Sequence, residues 1–178
     1  MACDITSGRL EPCKNSLGGN KAAYFINFLA DAFTVSNGEA TAIDAGVTEV
    51  FKYELRADGN ALEQAIVSDF NSGTTVVTQT LNLALKKLDK ETNNELKLMA
   101  HGRPIIVVQD RNDNYHLVGR SEGNDVTGGS SLTGGAKADF NGYNLTFTAT
   151  EGDYAPLLDS STVTALEALV SSTNIDPS

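Results

Sequence analysis

Hydrophobic and polar side chains alternate through three successive stretches between Glu49 and Lys87, separated by turn residues. In the first, Val50, Lys52, Glu54 and Arg56 share one parity, and Phe51, Tyr53 and Leu55 the other. In the second, Leu62, Gln64, Ile66 and Ser68 alternate with Ala61, Glu63, Ala65 and Val67. In the third, Thr74 to Lys86, Val77, Leu81, Leu83 and Leu85 oppose Thr74, Thr78, Thr80, Asn82 and Lys86. A period of two is the mark of a β-strand. Asp58-Gly59 and Asn71-Ser72-Gly73 supply the intervening turn chemistry. The pattern predicts three long strands joined by two tight turns. A strand of thirteen residues is roughly twice the usual length. Long strands with one polar face need a surface along which to extend, and in a small chain this predicts a sheet continued by a neighbouring copy.

Elsewhere the pattern is shorter-ranged. Residues 1–20 carry Gly8, Pro12, Gly18 and Gly19 without a period and read as an irregular arm. Ala22 to Phe28 predicts a strand with two fairly apolar faces. Phe33–Val35 and Ala40–Ile43 flank the hairpin turn Ser36-Asn37-Gly38. The period then changes. Asp89 or Thr92 can cap a helix, and Thr92-Asn93-Asn94-Glu95 has the form of a capping box. Leu88, Leu96 and Met99 form its apolar stripe, and Gly102 and Pro104 end it. Ile105–Val108 and Tyr115–Val118 predict a second hairpin. Gly128 to Gly135 reads as a flexible link, Asp139 to Thr148 as the last strong strand, and Val163 to Val170 as a weak amphipathic segment. The expected fold is mainly β: an antiparallel sandwich or barrel of eight or nine strands with one flanking helix. It divides into an N-terminal arm (1–20), a β domain (21–155) and a C-terminal arm (156–178), part of it helical.

Composition narrows the function. A chain of 178 residues with 40% hydrophobic and 20% charged residues is long enough to bury a core. Its net charge of −10 and pI near 4.5 argue against static binding to nucleic acid, which rewards Lys and Arg, but not against passing contact. No run of about eighteen apolar residues predicts a membrane span. The N-terminus shows no basic region followed by an apolar stretch, so the expected site of synthesis and assembly is the cytosol. Cys3 and Cys13 suit two free thiols or a small disulfide loop. With His101 and His116 distant in sequence, a zinc site lacks ligands, and no metal or cofactor is expected.

Other motifs have ordinary explanations. Gly129-x4-Gly134 has P-loop spacing, but Gly135 stands where the lysine is required, and a strand follows instead of a helix. Asp110-Arg111-Asn112-Asp113-Asn114 resembles the start of a calcium loop but lacks the later glycine and bidentate glutamate. No serine or cysteine lies in a nucleophile elbow, and nothing selects one carboxylate pair for glycoside hydrolysis. The sequence therefore predicts no enzyme.

The stretch Glu49-Val50-Phe51-Lys52-Tyr53-Glu54-Leu55-Arg56, the long strands after it, the helix after Leu88 and the late Thr133-Gly134-Gly135…Gly142-Tyr143-Asn144-Leu145-Thr146-Phe147 segment together resemble a bacteriophage tail tube (major tail) protein, related to the tubes of contractile injection systems. The resemblance covers roughly residues 20–150 and rests on the order of elements. It implies a structural protein of the virion tail, assembled in the host cytoplasm. Hexameric rings of it would stack into a hollow tube, and long hairpins would complete an inner β-barrel through which DNA passes. Its partners would be further copies, other tail proteins and, transiently, DNA, with no membrane. The inner wall and its subunit contacts would come from Phe51, Tyr53, Leu55, Leu62, Ile66, Val77, Leu81 and Leu83. Lumen charges would come from Glu54, Asp58, Glu63 and Asp69, partly offset by Lys52 and Arg56. Other phage ring or decoration proteins (a tail terminator, a neck ring, a capsid decoration protein) or a monomeric β-sandwich binding module are the competing readings.

Overall fold

A computed structural model describes residues 4–177, so the pairing of Cys3 with Cys13 lies outside the described residues; Cys13 is exposed. Its elements, in chain order, are β1 (Asn20–Ile26), β2 (Phe33–Ser36), β3 (Glu39–Ile43), β4 (Phe51–Glu54), β5 (Ala61–Asp69), β6 (Thr74–Lys86), α1 (Lys90–His101), β7 (Ile105–Asp110), β8 (Tyr115–Val118), β9 (Asp125–Leu132), β10 (Gly142–Glu151), β11 (Leu157–Leu158) and α2 (Ser160–Ala168). Two open sheets result. The larger has the order β2-β3-β11-β8-β7-β1-β4, the smaller β5-β6-β10-β9. All pairings are antiparallel except β11 with β3. The fold is mainly β, as expected, but the larger sheet is mixed, neither sheet closes into a barrel, and two helices flank them.

The seven-stranded sheet is covered on both faces, which explains the apolar doublets of β1 and β7. Tyr24 and Ile26 of β1, with Ile105 and Val107 of β7, face α2 and meet Leu166. Ala23 and Phe25, with Ile106 and Val108, face the smaller sheet and meet Leu81, Leu83 and Phe147. Phe25 stands edge-on to Tyr53 at 5.0 Å and tilted against Phe147 at 5.4 Å. The smaller sheet buries one face only, so burial alternates along β6 from Val76 to Ala84 and along β10 from Thr146 to Thr150.

The three stretches from 49 to 87 do form strands, and β6 spans the predicted thirteen residues. The first, however, is not the hairpin partner of the second. β4 pairs with β1 in the larger sheet, in register from Ala22–Glu54 to Phe25–Phe51. Residues 56–60 then carry the chain across to the smaller sheet. Asn60, 3% exposed, holds this crossing. Its Nδ2 donates to Ala57 O (2.7 Å), its Oδ1 accepts from Ala84 N (2.7 Å), and its carbonyl accepts from Asn20 N (3.2 Å). Asp58-Gly59 is therefore a bend between sheets. The second turn is a true hairpin, with nine cross-strand pairs between β5 and β6. At the β2–β3 turn Asn37 and Gly38 both have positive φ (53° and 82°), the type I′ geometry that suits strand twist.

Two further expectations need correction. Of the stretch Gly128 to Gly135, read as a flexible link, the part up to Leu132 belongs to β9, because β10 supplies a ladder from Asp125–Thr148 to Leu132–Gly142. The C-terminal arm is also largely docked. Asp159 caps α2 by accepting from Thr162 N at 2.7 Å, Leu166 is fully buried, and Val170 bridges Val50. Only the N-terminal arm is exposed throughout, from residue 4 to 19.

At α1 the cap is Asp89, not Thr92. Its carboxylate accepts from the backbone N–H of Glu91 (2.9 Å) and of Thr92 (2.8 Å), and from the Thr92 hydroxyl. Burial opposes ionisation of Asp89, but the hydrogen bonds from Thr92 and Glu91 prevail and hold the carboxyl below its ordinary range. A depressed folded pKa gives stability that is present above the unfolded value and lost as pH falls through the folded one. Asp89→Ala should cost about 1 kcal/mol at neutral pH and little once the carboxyl is protonated. Urea titrations at neutral and strongly acid pH measure both.

Candidate functional site

The outward face of the smaller sheet is the most distinctive surface on the protein. Strand parity puts Thr78, Thr80 and Asn82 of β6 beside Thr150, Thr148 and Thr146 of β10, pair by pair. Thr146 Oγ1 donates to Asn82 Oδ1 at 2.9 Å, and the Thr127 and Thr148 hydroxyls lie 2.8 Å apart. On the flanking strand, Glu63 is paired with Thr80 and Asp69 with Thr74. Asp125 of β9 is paired with Thr148. The face is thus a field of small hydroxyl and amide groups with carboxylates at both margins. Lys86, at the far end of β6, has the same parity. β-Branched threonine suits an exposed strand surface, and the hydroxyls satisfy one another across strands.

Among the described residues, both margins of this sheet are unpaired. β5 pairs only with β6, and β9 only with β10. Each therefore presents a row of free backbone donors and acceptors. Because every pairing across the sheet is antiparallel, the two edge strands run in opposite directions. A rotation about an axis along the strands would bring β9 of one copy beside β5 of the next, antiparallel again. The β5–β6 hairpin also projects past the core. Ile66 and Val67 are more than half exposed, and Phe70 at its turn is 97% exposed.

The structure divides the predicted wall residues by parity. Leu55, Val77, Leu81 and Leu83 are buried in the core between the sheets, and Phe51, Tyr53 and Leu62 pack against it. The four buried ones fill the chain's own interior and cannot line a wall; Phe51, Tyr53 and Leu62 are half-buried with their side chains turned to that interior. Ile66 has the same parity but lies beyond the core and is exposed. Of the predicted charges, Glu63 and Asp69 lie on the outward face of β5. Glu54, on β4, belongs to the larger sheet, and Asp58 lies in the bend between sheets. Lys52 is also on β4, where its Nζ lies 3.6 Å from Glu167 of α2 and 5.2 Å from the Tyr24 ring. The sequence already showed the threonine parity of β10. What it did not show is that β9 extends this face.

Other groups that attract attention are occupied structurally. Tyr24, fully buried, donates to Glu167, whose Oε1 also accepts from Tyr115 OH at 3.4 Å. Burial and the Glu167 contact raise the Tyr24 pKa far above the usual phenol range, so the hydroxyl stays protonated and fastens α2 to the sheet. Asp110 accepts from the N–H groups of Asn112 (2.8 Å) and Asn114 (2.9 Å), so its carboxylate closes its own turn. Among the described residues no cluster of His, Cys, Asp and Glu suits a metal ion, and no helix is long and apolar enough to cross a membrane. No family model, curated protein or solved structure matches this chain.

Proposed function

We propose that the protein is a structural virion protein that assembles edge to edge into rings, and that the rings stack into the tail tube through which DNA passes. The observation that carries this reading is the four-stranded sheet itself: two open edges of opposite direction and one hydroxyl-rich, acid-margined face. Edge-to-edge pairing removes the exposed strand edges that a free subunit leaves unpaired. Closure into a ring turns one face of the sheet toward the axis. A wall of small hydroxyl groups with scattered carboxylates, and with Lys86 at the end of β6 as a lone cation of that parity, offers a polyanion little to hold it and lets it slide. In this reading the wall comes from Thr78, Thr80, Asn82, Thr146 and Thr148, with Glu63, Asp69 and Asp125 as its charges. The resemblance in element order over residues 20–150 points the same way, and the ring size it implies is six.

Size measurement of purified protein combined with negative-stain imaging tests the reading. Rings that stack into hollow tubes support it. Single rings that never stack favour a terminator or neck ring. A monomer at every concentration overturns it in favour of a binding module.

Assembly through the edges makes a further prediction. Ser130 and Ser131 lie on β9, and both are exposed. Lysines on an edge strand oppose pairing with another chain. Ser130→Lys together with Ser131→Lys should shift the protein toward monomer while leaving its unfolding midpoint within about 0.5 kcal/mol of the parent, as for surface changes generally. Sedimentation velocity and thermal denaturation read the two effects separately.

A further inference from the structure

We propose that the N-terminal arm of one copy docks end to end on a second copy, with Arg9, Leu10 and Glu11 seated in the pocket between the β1–β2 connection and the β8–β9 turn. The pocket has a volume of about 320 Å³ and is lined by Ala30, Asp31, Phe33, Val35, Arg120 and Ser121. Phe33 is buried and Val35 half-buried, so this apolar pair forms the floor; Asp31, Arg120 and Ser121 are exposed and form the rim. Among the described residues neither Asp31 nor Arg120 enters an ion pair. The neighbouring charges are mostly engaged. Asp44, whose N–H donates to Ala32 O, accepts from Gly46 N, and Glu151 accepts from the Ser121 N–H and hydroxyl. Arg103 stacks over the Phe28 ring at 3.9 Å. Glu122, exposed in the turn, adds one more negative charge beside the pocket.

The arm carries the complementary pattern. Its charges from residue 4 onward are Asp4, Arg9, Glu11 and Lys14, and in Arg9-Leu10-Glu11 a cation and an anion flank an apolar side chain. Leu10 is 92% exposed on its own chain. Pro12 holds Glu11 in extended or polyproline-II backbone. Polyproline II has three residues per turn, so a segment that lays Leu10 on the floor sends Arg9 and Glu11 toward opposite walls. Arg9 then meets Asp31, and Glu11 meets Arg120. The net negative surroundings also suit Lys14, and Asp4 lies outside the docked triplet.

The arm's place of departure selects a second copy as the host. Among the described residues its hydrogen bonds to the body begin at Leu17, whose N–H donates to Asn112 Oδ1 and whose carbonyl accepts from Asn112 Nδ2, both at 2.9 Å. This root sits at the turn where β8 begins, and Arg120 lies past the other end of β8. Two hydrogen bonds show that β8 runs along the strands of the smaller sheet. At the root end Asn20, paired with Asp110, donates to Asn60 O, and Asn60 Oδ1 accepts from Ala84 N of β6. At the far end Gln79 of the same β6 accepts from Gly119 N at 3.0 Å. Root and pocket are therefore at opposite ends of the sandwich along the strands. A contact between them joins copies head to tail in the direction in which rings stack, whereas edge pairing runs across the strands. The inference deepens the proposed self-assembly and rests on it: the edges close a ring, and the arm ties one ring to the next.

The test mixes two variants in a Cys3→Ser, Cys13→Ser background, one carrying Leu10→Cys and the other Ala30→Cys, and treats the assembled protein with a short bis-maleimide. A cross-linked dimer containing one copy of each is expected, and none when either cysteine is missing. Glu11→Arg and Arg120→Glu should each weaken stacking by about tenfold or more, because like charges replace an opposed pair. The two changes together in one chain should restore it. Both positions are exposed, so the unfolding midpoint should not move and single rings should still form, which negative-stain imaging separates from stacks. Stacks that form without the mixed cross-link, or that tolerate both single charge reversals, overturn the inference while leaving ring closure intact. So does a chain carrying both cysteines that cross-links internally when dilute and monomeric. A parent protein that never self-associates overturns the proposed assembly as well, and that result is visible before any variant is made.

Discussion

Phe147→Ala should lower unfolding stability by about 3–5 kcal/mol, the usual cost of removing a large buried aromatic side chain. Phe147 is fully buried, is paired with Leu81 of β6 and Val126 of β9, and packs its ring against Phe25 of the opposite sheet. It is therefore the point at which both layers and three strands of the smaller sheet meet. Domains are stable by only about 5–15 kcal/mol, so the change removes a large share of the total. The neighbouring Thr148→Ala, on the opposite parity, should stay within about 0.5 kcal/mol. Urea denaturation of both variants makes the comparison. A Phe147→Ala protein as stable as its parent would mean that the two sheets do not share this core. The self-assembly reading depends on the same point, because a free edge and an outward face are useful only on a sheet held rigid from behind.

Backbone geometry also constrains that sheet. Gly142 begins β10 with φ at 158°, and a Cβ there would lie 2.1 Å from the carbonyl oxygen of Leu85 and 3.0 Å from the Cα of Lys86, its partner across the ladder. Gly142→Ala therefore forces β10 away from β6 at its first pair. The expected loss is about 1–3 kcal/mol, the usual cost of a strained backbone position, measured in the same denaturation series.

Local chemistry in the sequence specified most of the elements. Asn37-Gly38 forced a hairpin, and the alternation of β6 and β10 fixed which side chains are buried. Apolar doublets in β1 and β7 marked strands covered on both faces. What the sequence could not show was partnership. Phe51, Tyr53 and Leu55 alternate as strictly as Leu62 and Ile66, yet β4 joins β1 in the other sheet, because period two specifies a face and not a neighbour. The Asp58-Gly59 bend has hairpin composition, and only the tertiary role of Asn60 distinguishes it from one. β9 was missed because Gly128, Gly129, Ser130 and Ser131 have low strand propensity, which the β10 ladder overrides. α2 was read as a weak helix in an arm because its apolar stripe is short; a single buried leucine, Leu166, with the Glu167 contact to Tyr24, docks it. For the candidate site, the polar parity was visible throughout, but it was assigned to charges. The structure assigns it chiefly to threonines and retains only Glu63 and Asp69 of the four predicted carboxylates on that face.

Those two carboxylates carry the most consequential test of the conduit reading. Glu63→Lys with Asp69→Lys should leave ring formation nearly unchanged, because exposed charge pairs contribute only about 0–1 kcal/mol and neither carboxylate makes a salt bridge among the described residues. The effect on DNA should be large, because a ring multiplies two charge reversals by its number of copies and concentrates them on one channel. Each phosphate neutralised adds about 0.9 to the steepness with which log K falls against log salt, so the altered wall should hold DNA tightly at low salt and release it at high salt. Particles built from the double variant should therefore eject DNA slowly at low ionic strength and recover as salt rises. The parent should show little dependence. The matching reversal of Glu54 and Asp58, which lie off the smaller sheet, should leave ejection unaffected. If the Glu63 and Asp69 variant assembles and ejects normally at every salt concentration, this face of the sheet does not line the channel. If the Glu54 and Asp58 variant is the slow one, the channel is lined by the other side of the molecule, and the edge-to-edge arrangement of β5 and β9 must be abandoned with it.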